Sequence, residues 1–139
     1  MKQKYFSKNH RNLLFFYLPL SLWIFLIWFL SSHNWTIHFY SDTWNQEMFI
    51  RKLAHIGEFF ILFILIFRMI SLREKKFSQS VIGALGIVFC ISIIDEWHQT
   101  WVFGREGKIG DVFIDMSGAF LGSIVLIEYY RYIQKKNKK

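Results

Sequence analysis

Between Asp95 and Gly122 the chain reads DEWHQTWVFGREGKIGDVFIDMSGAFLG. One apolar segment gives out at the start of this stretch and the next begins before its end. Asp95, Glu96, His98, Gln99, Arg105, Asp111 and Asp115 lie between or beside them. Upstream, Lys52, His55 and Glu58 interrupt another apolar run at intervals of three. Ionisable groups in such places are costly unless they meet partners, so these residues are expected to converge. Their types define the available chemistry. His55 with Glu58 or Asp95 would make a base and its orienting carboxylate, with Asp111 or Asp115 as acid or metal ligand. Lys52 and Arg105 suit a phosphate or carboxylate, Arg105 with the better two-pronged geometry, and Gln99 and His98 would add hydrogen bonds. Glu58, Asp95, Glu96, Asp111 and Asp115 together suit a hard cation such as Mg²⁺ or Ca²⁺, and Glu58 with His55 a proton relay. No spacing is diagnostic of a metal. A serine nucleophile elbow, an HExxH motif and a P-loop are all missing.

Helical spacing sharpens the picture. Lys52, His55 and Glu58 fall on a face about 120° wide. At 1.5 Å per residue Glu58 lies about 9 Å deeper than Lys52, too deep for its short stem to reach water easily. Asp111 and Asp115 share a helix face and repel unless a cation lies between them or one is protonated. Asp95 and Gln99 repeat that spacing if their helix continues so far. The same residues would also serve as a network that only fixes helix order. Such contacts contribute on the order of 1 kcal/mol each in membranes, a small return for so many polar groups, which favours a site.

The elements that position these groups follow from composition. The 139 residues are 53% hydrophobic and 20% aromatic, with sixteen Phe and six Trp, as expected of a membrane protein whose side chains face lipid. The net charge of +7 does not point to nucleic acid: no binding motif is present, and the basic residues flank apolar runs. Cys90, the only cysteine, excludes an intrachain disulfide and a thiolate metal site, and reads as a small apolar residue.

Four apolar runs predict transmembrane helices over about 13–30, 49–72, 77–96 and 111–132. The first is too long and aromatic for a secretory signal and lacks a small-residue cleavage site. Pro19 is expected to kink it or loosen one backbone bond. Residues 31–48 form a polar, aromatic loop with Trp35, Tyr40 and Trp44 at the lipid boundary, where Trp97 and Trp101 are also expected. Gly83 and Gly86, and Gly118 and Gly122, would let their helices approach neighbours closely. Of the seventeen Lys and Arg, only Arg51, Lys52, Arg105 and Lys108 fall outside the N-terminal arm, the turn near residues 68–76 and the tail. The positive-inside rule then places both termini in the cytoplasm. The expected fold is all-α: an integral membrane four-helix bundle, one domain over 1–139, with the polar ends of three helices meeting on the outer side.

The combination Lys52-x-x-His55-x-x-Glu58, then Asp95-Glu96-x-x-Gln99, Arg105, Asp111, and Gly118 with Gly122 resembles the VanZ-like family, over residues 51–122. These are small bacterial membrane proteins, and the founding member is associated with low-level resistance to the glycopeptide teicoplanin. Two positions depart from the family pattern. Asp115 stands where such proteins commonly have Asn, and Phe59 lacks the hydroxyl of the family's usual aromatic. The resemblance implies a multi-pass protein of the bacterial cell membrane with an envelope role touching glycopeptide susceptibility. With the polar cluster, three functions compete: binding of a cell-wall precursor or lipid head group, catalysis on an envelope lipid or cell-wall intermediate, and a metal or proton site.

Overall fold

A computed structural model describes residues 13–33, 44–72, 76–103, 105 and 107–137. A π-helical stretch, Leu13–Tyr17, runs into α1, Leu18–Ser31. Then come α2, Trp44–Ser71, α3, Phe77–Gln99, and α4, Ile109–Lys136. There is no strand among the described residues. Four segments, Leu14–Ser31, Phe49–Ser71, Phe77–Gln99 and Ile109–Lys136, are long and apolar enough to cross a membrane. The expected all-helical, four-span architecture is therefore present.

Pro19 is handled differently from a mid-helix kink. It falls in the first turn of α1, directly after the π-helical stretch. A proline ring clashes with the carbonyl four residues back in a regular α-helix, and the wider π winding relieves that contact. Two helix ends also differ from the hydropathy boundaries. Trp44 to Met48 belong to α2 rather than to a loop, and α3 continues past Asp95 to Gln99. Trp35 and Tyr40, the N-terminal arm and residues 73–75 lie outside the described residues.

α2 is the central helix. Phe59, Leu62, Phe63 and Ile66 recur at helical spacing and are at most 1% exposed. They pack with Ala84 and Val88 of α3 and Ala119 of α4, while Leu20 and Ile27 bring α1 to the same cluster. The closest seam is between α2 and α4. A Cβ on Gly118 would collide with the backbone carbonyl oxygen of Ile56, and one on Gly122 would lie 2.9 Å from the Phe63 ring. Small residues there allow near-backbone contact, as expected. Gly83 and Gly86 do not do this on α3: the first meets only the Ile70 side chain at 3.5 Å and the second faces open space. Cys90, Phe113, Phe120, Trp97 and Trp101 point outward, as suits lipid-facing and interfacial side chains.

Candidate functional site

The polar residues gather at the end of the bundle that carries the C-terminal ends of α1 and α3 and the N-terminal parts of α2 and α4. Asp115, six residues into α4 and so about 9 Å below its start, is fully buried. His55 of α2 meets it with Nδ1 3.1 Å from Oδ1. Ser92 of α3 donates its hydroxyl to Oδ2 at 2.8 Å. Three helices thus meet on one carboxylate. Phe59, one turn below, lies nearly parallel to the His55 ring, with centroids 6.4 Å apart.

A second cluster closes the end of α3. Asp95, Glu96 and Gln99 are each at most 6% exposed. Gln99 donates its amide to Asp95 Oδ2 at 2.8 Å and approaches Glu96 Oε1 at 3.5 Å. The backbone N–H of Lys108 donates to Glu96 Oε2 at 2.9 Å, tying the loop ahead of α4 to α3. These bonds explain why the helix persists through two acids: each carboxylate has a donor at hand. Asp111, half-buried in the first turn of α4, is within Coulombic reach of Glu96.

Arg105 is engaged in more than the anion grip its type suggests. Its Nη2 donates to the carbonyls of Leu30 at 3.2 Å and His33 at 3.0 Å, capping the end of α1. Its Nε is buried with no hydrogen-bond partner among the described residues. Burial, then the neighbouring Arg51, pulls the guanidinium pKa down from its ordinary value, while Asp95, Glu58 and Glu96 pull it back up. It remains a cation.

Three other expectations need correction. Lys52 is exposed, and the α2 cation beside Arg105 is the half-buried Arg51. The spacing carried a signal for this. Arg51, His55 and Glu58 fall within a wedge of about 60°, and Lys52 lies outside it. His98 faces α1 rather than the cluster. Its Nε2 is 3.0 Å from Ser32 Oγ, whose own proton goes to the Trp28 carbonyl, and its ring lies 5.3 Å from that of Trp28. The orienting carboxylate for His55 is Asp115, neither Glu58 nor Asp95. Ser92, deep in an apolar run, was missed altogether; only its place seven residues before Gln99, on the same α3 face, hinted at it.

Glu58 lies within Coulombic reach of His55, Asp95, Asp115 and Arg105. The half-buried carboxylate accepts no hydrogen bond from the described residues, although the backbone oxygen of the same residue takes the Trp23 indole N–H at 3.0 Å. Among the described residues no group of three or more His, Cys, Asp and Glu side chains is arranged to hold a metal ion.

The family model for VanZ/LLP1 matches residues 7–131. The chain belongs to the VanZ-like family. As a VanZ-like protein it is a multi-pass membrane protein, and the match takes in the whole polar end of the bundle. No curated protein and no solved structure matches the chain. Asp115 and Phe59 both neighbour His55, the first through the 3.1 Å contact and the second with ring centroids 6.4 Å apart.

Proposed function

We propose that this VanZ-like protein binds a polar ligand, a cell-wall precursor or lipid head group, at the outer face of the bacterial cell membrane. The site draws on His55 and Glu58 of α2, Asp95, Glu96 and Gln99 of α3, Asp111 and Asp115 of α4, and Arg105 between them. Lys52, exposed at the mouth, is left to long-range attraction. The observation that carries this reading is incomplete pairing within the network. A cluster that served only to order helices would satisfy its own members. Here the Glu58 carboxylate has no hydrogen-bond donor and the buried Arg105 Nε no acceptor among the described residues. A ligand with both donors and an anionic group would satisfy the two at once. The family's association with teicoplanin makes glycopeptide susceptibility the natural cellular readout.

The test is a deletion strain complemented with wild-type protein, Glu58→Ala or Arg105→Ala. Teicoplanin susceptibility should return to wild type only with the unaltered chain, at equal protein levels. Native mass spectrometry of the same proteins should show a retained lipid or precursor lost from Glu58→Ala. Full complementation by Glu58→Ala, together with unchanged retained ligand, would sink the reading.

A further inference from the structure

The contact between His55 and Asp115 fixes more than helix order. Asp115 Oδ2 takes the Ser92 hydroxyl, which leaves Oδ1 of the carboxylate as the acceptor facing His55. Against the ionised carboxylate, His55 Nδ1, 3.1 Å from Oδ1, is the nitrogen that carries the hydrogen. In the neutral ring that leaves Nε2 as the acceptor nitrogen. Nε2 has no hydrogen-bond partner among the described residues, and the His55 side chain is 20% exposed against 0% for Asp115. Asp115 and Ser92, both buried, hold the ring from behind, and Phe59 lies against its face. The Nε2 lone pair of this part-exposed ring is thus left for a ligand. Glu58, on the same face of α2, supplies the second acceptor without a donor. The adjacent cations Arg105 and Arg51 supply the opposite pole.

We infer that His55 Nε2, aimed by Asp115 and Ser92, is the ligand's proton-accepting contact, and that the ligand is a phosphate-bearing lipid head group with an O–H or N–H donor. This inference rests on the binding reading above and narrows it. The donor group lies on His55 Nε2 and Glu58, and the phosphate lies toward Arg105. A phosphodiester without a donor satisfies the cationic pole and leaves both acceptors empty. Should the donor's proton transfer, the O–H or N–H bond breaks as Nε2–H forms, and the imidazolium is stabilised by the Asp115 carboxylate behind it. His55 is then a catalytic residue, with Asp115 and Ser92 as positioning residues.

The experiment uses the full chain reconstituted in phosphatidylcholine vesicles, whose head group has no hydrogen-bond donor. Diethyl pyrocarbonate reports on free imidazole lone pairs: the nitrogen attacks its carbonyl, and ethanol and carbon dioxide are released. Mass spectrometry follows His55, with exposed His33 as internal reference. His55 is expected to react at a rate within tenfold of His33. Phosphatidylglycerol, which offers hydroxyls, or phosphatidylethanolamine, which offers an ammonium, should slow His55 at least fivefold while His33 is unaffected. The arm that protects tells hydroxyl from ammonium. Phosphatidylmethanol, an anionic phosphodiester lacking both, should not protect. An unreactive His55 in phosphatidylcholine alone overturns the inference, because its lone pair is then not presented. So does protection by phosphatidylmethanol equal to that by the other two, which would leave anion binding and the broader reading intact. Protection by neither donor-bearing lipid overturns it as well. In ¹⁵N-histidine spectra His55 should be the Nδ1–H tautomer in the wild type and revert toward Nε2–H in Asp115→Ala; a wild-type Nε2–H tautomer contradicts the geometry independently of any lipid.

Discussion

Asp115 has both carboxylate oxygens committed, one to His55 and one to Ser92. Replacing it separates charge from shape. Asp115→Asn keeps an oxygen for His55 Nδ1–H and offers an amide that can donate to Ser92 once the serine hydroxyl turns, so it should cost under about 1 kcal/mol. Asp115→Ala leaves two buried donors without acceptors and should cost about 1–3 kcal/mol. Thermal unfolding of the purified proteins in one detergent distinguishes these, and equal losses would contradict the hydrogen-bonding account. The same comparison asks what the acid adds over its amide. At this scale the sequence was informative about kinds and silent about pairs. Histidine and carboxylates inside apolar runs announce themselves. Which carboxylate holds His55 depends on how α4 is turned against α2, and no local spacing encodes that. Arg51 was legible in its spacing with His55 and Glu58, but Lys52 hid it by fitting a regular interval of three.

The seam between α2 and α4 sets the turn of α4. Gly118 lies so close to the Ile56 carbonyl that any side chain must push the two helices apart. Asp115, one turn earlier on α4, would then lose its register with His55, one residue before Ile56. Gly118→Ala should therefore destabilise by about 1–3 kcal/mol and lower His55 reactivity toward diethyl pyrocarbonate or its ligand protection. Gly86→Ala, facing open space, should be neutral or stabilise by up to about 1 kcal/mol through helix propensity. Denaturation in mixed micelles measures both, and a damaging Gly86→Ala beside a harmless Gly118→Ala would reverse the packing assignment. The helices themselves were legible because length and apolarity suffice for a span. Their ends were not. Hydropathy marks where lipid stops, whereas α3 continues through Asp95 and Glu96 because Gln99 and Lys108 supply donors.

For the molecule as a whole, the remaining question is which way the polar end faces. Arg68, Lys76, Lys135 and Lys136 lie toward the opposite end, with Leu13 and the end of α4. The positive-inside rule therefore predicts a cytoplasmic C-terminus and an outer α3–α4 loop. A C-terminal fluorescent-protein fusion should glow, and alkaline phosphatase inserted after Trp101 should be active. The opposite pair of results would put the site in the cytoplasm and remove the envelope reading. The ligand itself was not legible, since acceptors and cations specify a chemical class rather than a compound.

Arg105 joins distant parts of the chain: the guanidinium that caps the last carbonyls of α1 is 75 residues downstream of Leu30. During synthesis α1 enters the bilayer long before that clasp exists. The His33 carbonyl, just past α1, must find another donor until the α3–α4 loop is made. The end of α1 is thus clasped only after α3 is complete, by a residue that also borders the site.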